Sequence, residues 1–367
     1  MVDASVRALR DAGSGVCYTN YSALDRYFRL PSYGPLYLST DASLVALAQT
    51  FDELEYAGLP YEDAVIRSED RRVMIRCDDA DLSPKPFPFT IQGLLYDPAR
   101  DVFLDPHGIY PDLRSLHLRP NIGSSPLYRL ADAAVLASRY HYLVEVEELA
   151  LGDRLPEPDP AFQRQLLFSI MAGAHPEKGL RLLYFSGFVE SFWPELQRMS
   201  GVAHVKDYHP EGDGWEHTLE TFQHRKEPDP VLSLALLLHD VGKPAAASTP
   251  ERAFDGHAEL GADTAARFLR RLGFAQQTVQ DVTFLVRYHM MPGALEVLPI
   301  HRSGPLMASP LFPRLLELYR ADLSASYGSP DGYYEACRIY RNYRKHKANP
   351  YRSSDGRKSR RKSRGPV

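Results

Sequence analysis

Cysteine is scarce in this chain: Cys17, Cys77 and Cys337 are the only three in 367 residues, far apart and without a CxxC pair. That argues against a disulfide framework and against a thiolate metal centre, and leaves three buried or idle thiols as the expectation. Long apolar runs are missing as well. No stretch approaches the roughly 18 uninterrupted apolar residues of a membrane helix. The opening MVDASVRALRDAGSG carries charge throughout instead of the apolar run of a signal peptide, so a cytoplasmic location is expected. Repeats are absent, and low complexity is confined to the final SSDGRKSRRKSRGPV, which is expected to be disordered. What remains is an ordinary globular composition, 44% hydrophobic and 25% charged, in a chain long enough for two domains with separate cores.

The formal net charge of -4 hides an asymmetry. Arg338 to Arg364 holds 12 Lys/Arg against one acid, Asp355, which leaves a body of about -15. A basic appendage on an acidic body suggests a polyanionic partner such as RNA; a solubilising, disordered end is the plainer alternative.

Hydrophobic spacing divides the chain in two. Leu36-Tyr37-Leu38 and Arg72-Val73-Met74-Ile75 read as strands, and Ala42 to Phe51 has helical spacing, so the first 120 residues are α/β or α+β. After about residue 125 strand signals largely disappear. Ala161 to Ala174, Lys178 to Phe188, Val231 to Asp240, Asp255 to Leu272, Val279 to His289 and Leu311 to Ser326 read as apolar-faced helices separated by Pro/Gly punctuation. The expected organisation is an α+β head over residues 1–120, an all-α neck over 121–200, an all-α domain over 201–335 and a basic, disordered tail over 336–367.

The strongest local signal is Leu234-Ala-Leu-Leu-Leu-His-Asp-Val-Gly-Lys-Pro244, an apolar helix that ends in adjacent His239 and Asp240. A carboxylate there faces the negative end of the helix dipole and loses solvation, so a cation must offset both costs. Lys243 is one such cation; a metal held by the His-Asp pair is another. The same oddity recurs. Asp322 lies on the apolar face of its helix, in register with Leu315, Leu318 and Tyr319; His289 ends the run Val282-Thr-Phe-Leu-Val-Arg-Tyr; His257 is in register with Leu260, Gly261 and Phe268; His217 lies early in Trp215-Glu-His-Thr-Leu-Glu. Any one of these is ordinarily a satisfied core residue. Five helices each delivering an imidazole or carboxylate to apolar surroundings call for a shared ligand. Imidazole with carboxylate suits Mn²⁺, Fe²⁺, Ni²⁺, Co²⁺ or Mg²⁺, and such an ion lowers the pKa of bound water and neutralises phosphoryl oxygens.

In this order, His217, His239-Asp240, His257, His289 and Asp322 resemble the H...HD...H...H...D pattern of HD-superfamily phosphohydrolases over about 120 residues. The resemblance implies that His217, His239, Asp240 and Asp322 bind a divalent metal, and that His257 and His289 hold a second metal or the phosphate. It also implies hydrolysis of a phosphate ester. Asp240 would align or deprotonate the attacking water, and Lys243 either reaches the phosphate or is a solvated helix end.

A second resemblance reaches further. His209-Pro-Glu-Gly-Asp-Gly-Trp-Glu-His-Thr-Leu219, Phe89-Thr-Ile-Gln-Gly-Leu-Leu-Tyr-Asp-Pro98, Phe103-Leu-Asp-Pro-His-Gly108 and Asp112-Leu113 are similar to stretches of the class II CCA-adding tRNA nucleotidyltransferase/poly(A) polymerase family. That likeness covers residues 35 to 330 and implies the family's head, neck and HD domain. The head departs from the family where its chemistry sits. Nucleotidyl transfer needs paired carboxylates on a strand to hold two metals, and Pro35 and Tyr37 occupy the places of the family's DxD. Ser32-Tyr33-Gly34 is too short and poor in glycine to cradle a triphosphate, Phe87-Pro-Phe-Thr-Ile-Gln92 stands for RRDFTIN, and Ser124-Ser-Pro-Leu-Tyr128 stands for EDPLR. Asp41 and Asp78-Asp79 are the remaining acidic candidates.

The expected function is therefore a divalent-metal-dependent phosphohydrolase of the phosphomonoesterase, 2′,3′-cyclic phosphodiesterase or 2′-nucleotidase type, acting on nucleotides or RNA ends, tRNA included, with the degenerate head kept as scaffold or docking surface. Two alternatives stand beside it. One is a working tRNA nucleotidyltransferase. The other is a non-catalytic RNA-binding protein using the tail's cations and Tyr340, Tyr343 and Tyr351.

Overall fold

In the computed structural model the described residues are 3–56, 61–68, 71–77, 86–121, 123–149, 151, 155–201, 213–246, 254–326 and 329–349. In chain order the elements are α1 (Ala4–Asp11), β1 (Val16–Tyr18), α2 (Asn20–Tyr27), β2 (Leu36–Thr40), α3 (Leu44–Thr50), β3 (Leu54–Tyr56), β4 (Ala64–Ser68), β5 (Arg71–Cys77), β6 (Leu95–Asp97), β7 (Val102–Leu104), α4 (Tyr110–Ser115), α5 (Pro126–Tyr140), α6 (Pro160–Met171), α7 (Pro176–Phe185), α8 (Phe188–Phe192), α9 (Pro194–Gln197), α10 (Gly214–Thr221), α11 (Pro230–Leu238), α12 (His257–Arg271), α13 (Gln276–Tyr288), α14 (Ile300–Ala308), α15 (Phe312–Ala325) and α16 (Asp331–Ala348). They form two compact units: residues 1–158 with 173–186, and residues 159–172 with 187–367. The segment 121–200, expected as a neck, is shared between them.

The first unit is the expected α+β head. Its seven strands run in the order β3-β4-β5-β2-β1-β6-β7. The expected strands at 36–38 and 72–75 are β2 and β5, which lie parallel, with Leu38 opposite Ile75 and Ser39 opposite Arg76. These central strands bury Leu36, Leu38, Val73, Met74 and Ile75, as a sheet covered on both faces demands. Pro126 at the first turn starts α5, which buries an alanine-rich surface against α7. Gly179 makes that contact possible: a Cβ there would lie 2.2 Å from Ser138 Oγ and 2.4 Å from the Ala134 carbonyl oxygen. The Asp25 carboxylate meets the Arg139 guanidinium at 2.6 and 2.7 Å and accepts from Tyr140 Oη at 2.6 Å, all deeply buried.

The second unit is all helical among the described residues. Its centre is α11, whose Leu232–Leu238 stretch is buried on every side, as the near-uniform apolar sequence requires. Asp229 caps it, accepting from the Val231 and Leu232 N–H groups at 3.0 and 3.1 Å. The expected helices at 255–272, 279–289 and 311–326 are α12, α13 and α15. The segment read as a disordered tail from residue 336 corrects that expectation in its first part: α16 continues to Ala348, held by Ala336 and Tyr340 on neighbouring helices. The terminal low-complexity stretch lies outside the described residues.

Candidate metal centre

The HD residues converge from five helices. His217 projects from α10, His239 and Asp240 follow the last turn of α11, His257 opens α12, His289 follows α13, and Asp322 lies in the last two turns of α15. The helix-end position of three of the histidines orients them. His239 Nδ1 donates to the Leu236 carbonyl at 2.8 Å, His257 Nδ1 to Phe254 at 2.8 Å and His289 Nδ1 to Val286 at 2.7 Å. A carbonyl oxygen only accepts, so each ring carries its proton on Nδ1 and, when neutral, turns a bare Nε2 lone pair inward.

Those lone pairs meet one another and two carboxylates. His217 Nε2 is 3.0 Å from Asp322 Oδ1, and His239 Nε2 is 3.3 Å from Asp240 Oδ2 and 3.7 Å from Asp322 Oδ1. His257 Nε2 and His289 Nε2 face each other at 3.2 Å and lie 3.7 and 3.9 Å from Asp240 Oδ1. Asp240 therefore belongs to two triads, one with His217 and His239 and one with His257 and His289, each gathering its ligand atoms within 4.8 Å. Close packing sets the second triad. A Cβ on Gly242 would lie 2.1 Å from the His257 carbonyl oxygen and 2.4 Å from the Gly261 nitrogen, so only glycine lets the first turn of α12 press on the His-Asp turn.

The electrostatics call for a cation. Among the described residues, buried His239 Nε2 has no well-aligned hydrogen-bond partner. Burial opposes protonation of this ring, but the Asp240 and Asp322 carboxylates outweigh it and push its pKa up to about 10. Burial also opposes ionisation of Asp240, yet His239 and Lys243 hold its carboxyl well below the usual range; for Asp322, His217 and His239 do the same against burial. His289 goes the other way, to about 4, through burial and the neighbouring His239. Two carboxylates kept ionised among inward-turned imidazoles form a donor set that fits a divalent metal. Lys243 Nζ lies 2.6 Å from Asp240 Oδ2 and 5.4 Å from the Phe254 ring centroid. Lys243 thus stands as a counter-cation to the Asp240 carboxylate and is not a solvated helix end.

The head presents a different cleft, about 720 Å³, lined among others by Ser39, Arg76, Phe87, Phe89, His107 and Arg119. On β2 the Tyr37 N–H donates to Ser22 Oγ at 2.9 Å and its ring packs edge-on against Tyr21. Asp41 accepts from the Gly15 N–H at 2.8 Å, and Asp78-Asp79 lie outside the described residues. A buried network that sequence reasoning missed joins Asp132 of α5 to Tyr21 Oη at 2.5 Å and Gln92 Nε2 at 2.9 Å, with Gln92 also donating to Asn20 at 3.0 Å. Its only trace in the sequence is an acid inside the alanine-rich run of α5.

Known proteins align with both parts. The HD domain family matches residues 214–325. The chain is 28% identical over 265 residues to the A-adding tRNA nucleotidyltransferase of Deinococcus radiodurans, covering 65% of this chain and 59% of that protein. It is 32% identical over 228 residues to the Multifunctional CCA protein of Halorhodospira halophila, covering 57% and 54%, and 35% identical over 185 residues to the CC-adding tRNA nucleotidyltransferase of Thermus thermophilus, covering 47% and 42%. The chain thus spans about half the length of the curated relatives it matches. In fold it resembles the Bacillus stearothermophilus CCA-adding enzyme crystallised with CTP, with a TM-score of 0.55 at 16% identity over 91% of this chain and 80% of that one. It also resembles a tRNA-processing enzyme, with a TM-score of 0.52 at 12% identity over 92% and 95%. No described helix is long and apolar enough to cross a membrane. The chain carries an HD domain at residues 214–325, preceded by a head that matches the CCA-adding nucleotidyltransferases.

Proposed function

We propose that this chain is a divalent-metal-dependent phosphohydrolase that acts on RNA ends or nucleotides at its HD site. The observation that carries the reading is the set of three imidazoles whose Nδ1 protons are committed to backbone carbonyls, which turns their Nε2 atoms towards the Asp240 and Asp322 carboxylates. His217, His239, Asp240 and Asp322 would hold one metal; His257 and His289, with Asp240, would hold a second or receive the phosphate. A metal so held supplies an acidified water and neutralises phosphoryl oxygens. Asp240 would orient that water or accept its proton. Lys243 would have to leave Asp240 to reach a phosphate. The relatives are named for tRNA, which makes an RNA end the natural substrate class.

Nucleotide addition is the second reading, and the relatives' names favour it over hydrolysis. Against it stand Pro35 and Tyr37 at the places of the paired carboxylates. One experiment addresses both readings. Wild type and Asp240→Ala are assayed for hydrolysis of 2′,3′-cyclic AMP and a generic phosphate ester over Mg²⁺, Mn²⁺, Ni²⁺ and Co²⁺, and for CTP and ATP incorporation into a tRNA lacking its 3′ end. Hydrolysis that vanishes in the variant, with no incorporation by either protein, supports the first reading; incorporation that survives in Asp240→Ala establishes the second.

A further inference from the structure

One charged surface belongs to neither cleft. Helix α16 packs one side on the HD domain: Ala336 is buried, the Tyr340 ring lies 4.7 Å from Phe312, and Tyr333 Oη donates to Glu317 at 3.0 Å. On the opposite side Tyr334, Arg338, Arg341 and Lys345 follow at i, i+4, i+7 and i+11, which places them in a single stripe. Tyr334 is 64% exposed. Arg341 and Lys345 are exposed. Arg338 is held by Glu335, with 2.8 Å between Nε and Oε2. Asp331 and Glu335 are the helix's only acids and both sit near its start, so positive charge accumulates towards the C-terminal end, where residues 350–364 add seven Lys/Arg to one acid in the sequence.

The start of α16 adjoins the metal centre's side of α15. A Cβ on Gly332 would lie 2.8 Å from Tyr319 Oη, and one on Gly293, four residues past His289, 2.9 Å from the same atom. Tyr319 is one turn before Asp322; burial, and then the Asp322 carboxylate, raise its pKa. From that point the helix runs for 18 residues, about 27 Å, and the stripe from Tyr334 to Lys345 covers about 16 Å of it.

We propose that the outer stripe of α16 is a docking track for an RNA strand whose end reaches the HD site, with phosphates on Arg338, Arg341 and Lys345 and a base stacked on Tyr334. Exposed cations in a row neutralise consecutive phosphates, and an exposed aromatic side chain accepts any base on its face. A small phosphate ester would need no such row. A membrane surface is disfavoured because the helix spends its apolar face on the HD domain and leaves no aliphatic side to insert. The inference rests on RNA being the substrate, and not on which chemistry is done to it.

The test is binding of fluorescently labelled single-stranded RNA and of a tRNA transcript to the full chain in EDTA, which removes turnover, so failure of the hydrolase reading leaves this test standing. Arg338→Ala/Arg341→Ala/Lys345→Ala is expected to weaken binding at least tenfold and to reduce the slope of log affinity against log salt by about two. Tyr334→Ala is expected to weaken binding several-fold with little change in slope. Arg338→Lys/Arg341→Lys, which keeps the charge, is expected to bind nearly as wild type. Wild-type affinity and slope in the triple alanine variant would overturn the proposal. So would equal weakening in the lysine variant, or displacement of RNA by poly-glutamate at the same charge concentration, which would point to an acidic protein partner.

Discussion

The head and the HD domain both bury charged side chains, and they settle the charge in opposite ways. In the head, Asp25 is answered by Arg139 and Tyr140, Asp112 by Thr90 at 2.7 Å and Arg119 at 2.9 Å, and Asp132 by Tyr21 and Gln92. These carboxylates have spent their lone pairs on protein donors. In the HD domain the Nδ1 protons of three imidazoles go to backbone carbonyls, which turns their Nε2 atoms towards Asp240 and Asp322, with the Lys243 ammonium beside Asp240. A polar cluster satisfied by its own chain is structural; one whose imidazole nitrogens and carboxylates converge within a few ångströms is a donor set that suits a metal.

Removing a ligand on the side that needs a cation should give the largest effect. Asp240→Ala, which withdraws the group common to both triads, is expected to lower the rate of metal-dependent hydrolysis by at least about a thousandfold and to weaken metal binding by calorimetry. Retained turnover and unchanged metal affinity would break the comparison at once. On the satisfied side, Arg139→Ala should leave hydrolysis almost unchanged but cost about 3–5 kcal/mol in urea unfolding, because it strands the buried Asp25 carboxylate. Gly242→Ala should cost about 1–3 kcal/mol by overpacking. It should also reduce turnover, because the first turn of α12 must move away and carry His257 with it; an unchanged rate would show that His257 is dispensable.

The smallest effect sharpens the contrast through pH. Burial pushes the Asp132 carboxyl up to about 6, against the hydrogen bonds from Tyr21 and Gln92 that lower it. A folded-state pKa above the ordinary value means the folded form binds the proton more tightly. The head should therefore lose stability as pH rises from about 4 to about 6, and stay at the lower level above that. Asp132→Asn cannot ionise, but it gives up an acceptor for Gln92. It should be more stable than wild type by about 1 kcal/mol at pH 8, and equal or less stable below pH 4. Equal melting temperatures across that range would show that Asp132 titrates normally.

The candidate metal centre was legible because each proposed ligand interrupts or terminates an apolar run, where a polar residue needs a reason. Helix periodicity located α11, α12, α13 and α15, and β-branched and apolar pairs located β2 and β5. The three-residue strands β1, β3, β6 and β7 carry too few side chains to show a period. The Asp25–Arg139 pair joins residues 114 apart, a relation that no local pattern encodes. The extent of α16 was hidden for a different reason. Its charges dominate the composition, while the few aromatic and alanine contacts that hold it are spaced among them.

The anchoring of His239, His257 and His289 has one more consequence. Each ring is steered by a carbonyl three residues earlier in its own segment, so the direction in which it points is fixed by four consecutive residues. The rest of the domain governs only how far apart the rings lie. Small errors of helix packing would then translate the nitrogens without turning them, and an ion that tolerates some variation in bond length could still be seized, drawing the helices to their final spacing as it binds.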